Sequence, residues 1–227
     1  MTPAEFAKTI DHTVLKPEAL AADVEKICAE AREHKFASVC VAPAWVPLVA
    51  KSLKGSGVLT CTVAGFPHGT SRATVKAIES VSTIKDGAEE VDVVIHLPHL
   101  LNLDLDAARA ELIEFVKGSR AARKDVVIKV IVESAALTPT ELHEVGRVAV
   151  DAGADFLKTS TGFHPAGGAS LEAVGTLAQV AVAAGRPVGV KASGGIRDTA
   201  TALAMVDAGA TRIGCSATRA ILAGLPT

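Results

Sequence analysis

Lysines within short apolar segments are the residues of this sequence with the clearest chemical potential. Lys129 lies in VVIKVIVE, Lys158 in DFLKTS and Lys191 in PVGVKAS. Burying an unpaired ammonium group costs several kcal/mol even after the protein relaxes around it, and for one lysine alone a place at the surface is the ordinary alternative. Asp11 in TIDHT and Asp92 in EVDVVI lie in segments of the same kind. The sequence therefore favours one interior site where these charges pair.

Two lysines in one site have a specific chemical use. The second cation and partial desolvation both disfavour the ammonium form, so that one amine can be neutral near pH 7 and attack a carbonyl carbon. The expected product is a Schiff base, whose iminium withdraws electrons from the adjacent carbon. A carboxylate beside the remaining ammonium can move protons to and from that carbon.

The elements that would position these residues alternate along the whole chain. Amphipathic segments at helical spacing separate short β-branched segments, an alternation that requires a parallel sheet. Eight units without a linker predict an α/β fold, a single (β/α)8 TIM barrel domain over residues 1–227, with an open doubly wound sheet as the alternative. The predicted strands are 9–13, 37–42, 58–63, 90–95, 126–133, 155–160, 187–193 and 211–216.

The two-residue period of a strand predicts which of these side chains point into the barrel. Asp11 shares a face with Thr13, and Lys129 shares one with Glu133, whereas the alternate positions of VVIKVIVE are apolar. Lys158 and Lys191 each precede a polar loop that contains glycine, which predicts a position at the carboxyl end of the strand. We expect the charges of five strands to converge there, where barrels carry their active sites. Structural ion pairs are the alternative.

Two loops have the composition of a phosphate site. ASGGIRD offers the backbone of Gly194 and Gly195 together with Arg197, and GCSATRA offers Gly214 and Ser216. The loops after the seventh and eighth strands of a barrel often bind phosphate. Ordinary turn chemistry is the competing interpretation, since glycine and serine occur in any loop.

Bulk composition excludes several classes of function. The net charge of -2 and the absence of a basic run argue against nucleic acid or an anionic membrane as a partner. The amino terminus lacks a signal-peptide pattern and no segment is long and apolar enough to span a bilayer, so we expect a cytoplasmic protein. The four cysteines are far apart, and His96 and His99 flank a proline, so we expect no disulfide, no metal and no cofactor.

Long motifs across nearly the whole chain resemble the deoxyribose-phosphate aldolases of the metal-independent, Schiff-base class. They are IDHTVLKP, SVCVAPAWV, TVAGFPHG, EVDVVI, KVIVES, LKTSTGF and VKASGGIRD. The resemblance implies a lyase that reversibly cleaves 2-deoxy-D-ribose 5-phosphate to acetaldehyde and D-glyceraldehyde 3-phosphate, in the catabolism of deoxyribose phosphate. It implies the Schiff base at Lys158 and proton transfer by Asp92 and Lys191. The implied supporting positions are Lys129, Asp11 and Thr13, and the implied phosphate-binding positions are Gly162, Gly194, Gly195, Arg197, Gly214 and Ser216.

The sequence departs from the family pattern at a few positions. Phe163 replaces a lysine found beside the phosphate in certain members, Ala42 replaces a common asparagine, and Ala217 replaces a second serine. Some members have a carboxyl-terminal tail ending in tyrosine that reaches the active site, whereas this sequence contains no tyrosine. We expect water to act in place of that group.

Other functions compatible with the residues are a Schiff-base aldolase with another donor, a phosphosugar isomerase or epimerase barrel, and a phosphate-binding barrel without catalysis. The expected partners are a small phosphosugar and further copies of the chain, in a dimer or tetramer. Donor identity and formation of a covalent intermediate would separate these functions.

Overall fold

The computed structural model describes residues 1–225. The last two residues of the predicted 1–227 domain, Pro226 and Thr227, lie outside the described residues. Residues 1–225 contain eight parallel strands, each paired with the next along the chain, and β8 pairs with β1. The predicted barrel is thus confirmed, and an open doubly wound sheet is wrong. The strands are β1 (Ile10–Val14), β2 (Ser38–Val41), β3 (Leu59–Ala64), β4 (Glu90–Val94), β5 (Val127–Ile131), β6 (Phe156–Lys158), β7 (Gly189–Ser193) and β8 (Arg212–Cys215).

Helices connect the strands and surround the barrel. They are α1 (Pro3–Ala7), α2 (Ala21–His34), α3 (Val46–Leu53), α4 (Ala73–Lys85), α5 (Leu97–Leu101), α6 (Leu105–Ala122), α7 (Pro139–Asp151), α8 (Leu171–Ala183), α9 (Thr199–Asp207) and α10 (Thr218–Ala223). Short 3-10 helices follow β2 and β5, at Pro43–Trp45 and Ser134–Ala136. Within residues 1–225, no helix has both the length and the apolar composition that crossing a membrane requires.

The main hydrophobic core lies between the outer faces of the strands and the helices. Val91 and Val93 of β4 and Ile128 of β5 are fully buried there with Phe115 of α6. Because successive strand residues point to opposite faces, this packing turns Asp92, between the two valines, into the barrel. On β4 and β5 the apolar outer face therefore fixes the charged residues inside the barrel.

Glycine follows several helices where the chain turns into the next strand. Gly87, Gly153 and Gly209 all have positive φ angles. At Gly209 an added Cβ atom would also lie 2.6 Å from the Cβ of Ala178. Glycine at this position thus permits both the left-handed turn and the close packing of the neighbouring helix.

Two strand ends differ from the prediction. The predicted strand 126–133 ends at Ile131, and Glu133 has a left-handed backbone with φ of 52°. The seventh strand continues through Ser193, so Lys191 lies in the middle of β7 rather than at its end. Lys158 does end β6, and the register pairs it directly with Lys191. The stagger between strands brings both lysines to the same level of the barrel.

Candidate active site

Asp92 is the centre of the buried charges inside the barrel. Its Oδ2 atom lies 2.8 Å from the Nζ of Lys158 and 2.7 Å from the Nζ of Lys191. Its Oδ1 atom lies 2.8 Å from the Nζ of Lys129. Asp92 and Lys129 are fully buried, while Lys158 retains 3% exposure. Adjacent strands β4, β5, β6 and β7 thus direct one carboxylate and three lysines to the same point.

Asp11 of β1, Arg212 of β8 and Glu90 of β4 extend this group of buried charges. Asp11 lies 2.5 Å from the Nζ of Lys191 and 2.6 Å from Nη1 of Arg212. The hydroxyl of Ser38 donates to the same Asp11 carboxylate at 2.7 Å. Glu90 lies 2.6 Å from the Nζ of Lys129 and 3.1 Å from Arg212. The interior charges form one continuous network rather than isolated pairs.

The ion pairs determine the protonation states of the carboxylates. Burial alone raises the pKa of Asp92, but the ammonium groups of Lys129, Lys158 and Lys191 outweigh it and hold that pKa well below its usual range. Asp11 behaves in the same way, because Lys129, Lys191 and Arg212 hold its pKa far below the ordinary value against the effect of burial. Both carboxylates are therefore ionised at neutral pH.

The same carboxylates keep two of the lysines charged. Burial lowers the pKa of Lys191, but the carboxylates of Asp11 and Asp92 reverse that effect and raise the pKa above its ordinary value. Lys129 shows the same balance, with burial opposed by Asp11 and Asp92 and a pKa well above the usual range. Lys129 and Lys191 are thus permanent ammonium groups near pH 7.

Lys158 is the cation that this network balances least. The network contains four cations, Lys129, Lys158, Lys191 and Arg212, and three carboxylates, Asp11, Glu90 and Asp92, which leaves a charge of +1. Lys129 and Lys191 each contact more than one carboxylate, whereas Lys158 contacts Asp92 alone. A neutral Lys158 amine leaves three cations facing three carboxylates. Lys158 is therefore the lysine of the site with the fewest carboxylate partners.

A cavity of about 240 Å³ opens above these groups at the carboxyl end of the barrel. Lys158 and Lys191 line its floor, and the loops after β6, β7 and β8 form part of its rim. Every residue that the sequence assigns to phosphate lines this cavity: Gly162, Gly194, Gly195, Arg197, Gly214 and Ser216. The structure thus places the amine and the predicted phosphate loops around one volume.

Gly214 has a steric role beside Lys191. A Cβ atom on Gly214 would lie 2.9 Å from Cε of Lys191 and 3.1 Å from the Cβ of Ser193. Any larger residue would have to move the lysine away from Asp92 or deform β7. The glycine in β8 therefore makes room for the extended side chain of Lys191.

Thr13 lies where the sequence predicts, whereas Glu133 does not. Thr13 lines the cavity, and its hydroxyl donates to the backbone oxygen of Asp11 at 2.9 Å. Glu133 does not join the interior charges, because its carboxylate accepts a 2.6 Å hydrogen bond from the hydroxyl of Thr161. The expected convergence is thus wrong for Glu133, which instead holds the loop after β6.

Sequence reasoning missed three charged residues of the site. Glu90 precedes Asp92 by two positions, so the alternation of β4 was a signal that could have found it. Arg212 starts β8, where no apolar alternation precedes it, and only the fold brings it to Asp11. Lys16 lies in the loop after β1 and lines the cavity without any periodic pattern to mark it.

Two groups of side chains have the spacing of a metal site, and both include Cys61 beside Lys129. The first is Asp11, Cys61 and Glu90, where the Nζ of Lys129 lies 2.6 Å from Glu90. In the second, Cys40, Cys61 and Asp92 place ligand atoms within 4.8 Å of one another, and both cysteines are buried and free. The Nζ atom of Lys129 lies 3.2 Å from Sγ of Cys61 and 2.8 Å from Asp92. An ammonium group so close opposes a second cation, so these residues favour ion pairing over metal coordination.

A barrel that carries an amine, an ammonium and a carboxylate in contact at the floor of its cavity defines a lysine-dependent enzyme of carbonyl chemistry. Residues 6–224 match the model of a family described as DeoC/LacD family aldolase. The chain belongs to this family of aldolases.

Named relatives and a solved structure agree with this family. A deoxyribose-phosphate aldolase of Mycobacterium avium is 51% identical over 231 residues, which cover 99% of this chain and 100% of the relative. One of Kocuria rhizophila is 48% identical over 225 residues, with 99% of each chain covered. A tetrameric deoxyribose phosphate aldolase from Aeropyrum pernix superposes with a TM-score of 0.89 at 35% identity, covering 98% of this chain and 91% of that one.

Proposed function

We propose that this chain is a lyase that reversibly cleaves 2-deoxy-D-ribose 5-phosphate to acetaldehyde and D-glyceraldehyde 3-phosphate through a Schiff base on Lys158. The observation that carries the proposal is the shared contact of Lys158 and Lys191 with Asp92, below a rim of glycine-rich loops. The relatives named deoxyribose-phosphate aldolase support the choice of substrate.

The reaction begins with attack of the neutral Lys158 amine on the aldehyde carbon C1 of the open-chain sugar. The new bond joins Nζ to C1, and the carbonyl oxygen takes up protons and leaves as water, which gives the iminium. Asp92 lies within hydrogen-bond distance of both Lys158 and Lys191, so Asp92 and Lys191 are positioned to supply and recover these protons.

Cleavage breaks the bond between C2 and C3 of the sugar. The C3 hydroxyl loses its proton, C3 becomes the aldehyde of glyceraldehyde 3-phosphate, and the electron pair of the broken bond forms an enamine with Lys158. A proton then returns to C2, and water hydrolyses the resulting iminium to release acetaldehyde and the free amine. Asp92, kept ionised by its three lysine neighbours, can act as the base in these steps, and the ammonium of Lys191 can act as the acid.

The phosphate of the substrate would lie at the rim of the same cavity. Gly194 and Gly195, in the loop after β7, have positive φ angles. Glycine adopts this backbone conformation at little cost. Arg197 and Ser216 add a cation and a hydroxyl to this rim. Binding of the remote phosphate then orients C1 toward Lys158.

We further propose that the protein is a cytoplasmic homo-oligomer. The tetrameric state of the Aeropyrum pernix protein supports self-association of this chain. Analytical ultracentrifugation of the purified chain tests the assembly, and a monomer over the micromolar range would contradict it. Fractionation of cells that produce the protein tests its location.

Trapping of the covalent intermediate tests the function. We expect incubation with acetaldehyde and sodium borohydride to leave an ethyl group on Lys158, which peptide mass spectrometry locates, and Lys158→Leu to show none. An adduct on another lysine would contradict the assignment of the nucleophile. Trapping only with a ketose phosphate or keto acid would indicate another aldolase, and no adduct with any carbonyl compound would favour an isomerase or epimerase.

A further inference from the structure

The charge of the cavity lining is entirely positive among the described residues. The side chains around it include four cations, Lys16, Lys158, Lys191 and Arg197, and no carboxylate. Lys158 and Lys191 are buried at the floor and engaged by Asp92. Lys16 and Arg197 are exposed at the rim, so the entrance has two positive charges of its own.

The two rim cations have no anionic partner within residues 1–225. Neither Lys16 nor Arg197 forms an ion pair there, whereas each floor lysine has at least one carboxylate within 2.8 Å. Lys16 also borders a neighbouring cavity whose lining includes Glu18, Asp23 and Glu30, and it forms no ion pair with any of them. Two uncompensated cations match the charge of a phosphate dianion.

The strand order places these cations on opposite sides of one loop. Lys16 follows β1 by two residues, and Arg197 follows β7 by four. Strand β8 pairs with both β7 and β1, so the loop that carries Ser216 lies between them. An anion bound at the Ser216 loop would therefore lie between the loop that carries Lys16 and the loop that carries Arg197.

The wall after β6 has the opposite character. Phe163 lines the cavity with 51% of its surface exposed. Its ring packs edge-to-face on Phe66, with 5.3 Å between the ring centroids. The loop after β6 therefore contributes no charged side chain to the rim. The two cations of the rim lie on the loops after β1 and β7.

We propose that Lys16 is a specificity-determining residue that binds the substrate phosphate together with Arg197, from the opposite side of the Ser216 loop. This inference rests on the proposed function, because it assumes a phosphorylated sugar in this cavity. It assigns part of the selectivity for phosphorylated substrates to the loop after β1.

Kinetics with paired substrates test the assignment. Lys16→Gln should lower the ratio of kcat/KM for 2-deoxyribose 5-phosphate to that for 2-deoxyribose about tenfold, the effect of losing one contact to a charged group. The inhibition constant of inorganic phosphate should rise in parallel. Lys16→Arg should recover most of the selectivity, and Lys16→Glu should lower it further.

The control is Lys117→Gln, which removes the same charge from an exposed position on α6 outside the cavity lining. An unchanged selectivity ratio in Lys16→Gln, or an equal change in Lys117→Gln, would overturn the inference. Failure of the proposed function has a different outcome, since the unmodified protein would then release no acetaldehyde and form no adduct on Lys158.

Discussion

Replacing Lys191 with leucine removes one of the four cations that surround Asp11, Glu90 and Asp92. In the unmodified protein a neutral Lys158 amine leaves the network electrically balanced. Without Lys191, the network is balanced only when Lys158 is an ammonium. We therefore expect the substitution to disfavour the nucleophilic form of Lys158 as well as to remove a proton donor.

The distances set the size of this effect. The Nζ atoms of Lys158 and Lys191 lie 2.8 Å and 2.7 Å from the same oxygen of Asp92, so at most the sum of the two, 5.5 Å, separates them. Two unit charges at that distance repel by about 3 kcal/mol at an effective dielectric constant of about 20. Losing this repulsion corresponds to an effect of about 100-fold on the population of the neutral amine.

Borohydride trapping measures the effect of Lys191 on the nucleophilic form of Lys158, and steady-state kinetics measure its role as a proton donor. At pH 7, Lys191→Leu should trap acetaldehyde on Lys158 about 100-fold more slowly than the unmodified protein, and raising the pH should restore trapping. Turnover should remain at least about 100-fold lower at every pH, because the acid-base group is absent. Circular dichroism of the variant is the control that it is folded. Equal trapping rates at pH 7, or an adduct on a peptide that contains Lys191, would refute this reasoning.

Three further predictions concern the rim, the outer face of β1 and metal dependence. Ser216→Asp should raise KM for 2-deoxyribose 5-phosphate at least about tenfold more than KM for 2-deoxyribose, since like charges repel; equal changes in the two KM values would contradict a phosphate site. Exhaustive chelation should leave cleavage unchanged, because the iminium withdraws the electrons; activity lost and then restored by zinc would contradict this. His12 contacts Glu30 and Thr218 at 2.8 Å, and burial lowers its pKa. The neutral ring thus stabilises the fold above about pH 6.5, so urea titrations should show His12→Asn losing about 1–3 kcal/mol at pH 8 and less at pH 5, whereas a constant difference would argue against it.

Local pattern predicted the fold because most strands have an apolar outer face and every connection contains a helical segment. The ends of strands were less predictable, because hydrogen-bonded neighbours determine them. The sequence pattern of β5 continues to Glu133, but the last register pair is Ile131 with Lys158, where β6 ends. Beyond that pair the amide of Val132 still donates to the backbone oxygen of Lys158, but Glu133 adopts a left-handed backbone and the regular strand ends.

Within the site, the sequence predicted most of the residues that follow the alternation, although it missed Glu90, and it missed Arg212, which only closure of the barrel brings to the site. Asp11, Asp92, Lys129, Lys158 and Lys191 lie on inward faces that the two-residue period identifies. Arg212 reaches Asp11 only because β8 pairs with β1 across the closure. The charge of +1 depends on Arg212, so it could not be read from any single segment of the sequence.

The register pair of Lys158 and Lys191 makes the spacing of the two amines a property of the backbone ladder. Their strands are joined by main-chain hydrogen bonds, including one of 3.0 Å from the amide of Thr159 to the oxygen of Lys191. Side-chain mobility at the rim does not alter this ladder, whereas separation of β6 from β7 destroys it. Enzymatic activity should therefore report the integrity of the barrel itself. On heating, it should decline together with the loss of strand structure rather than before it.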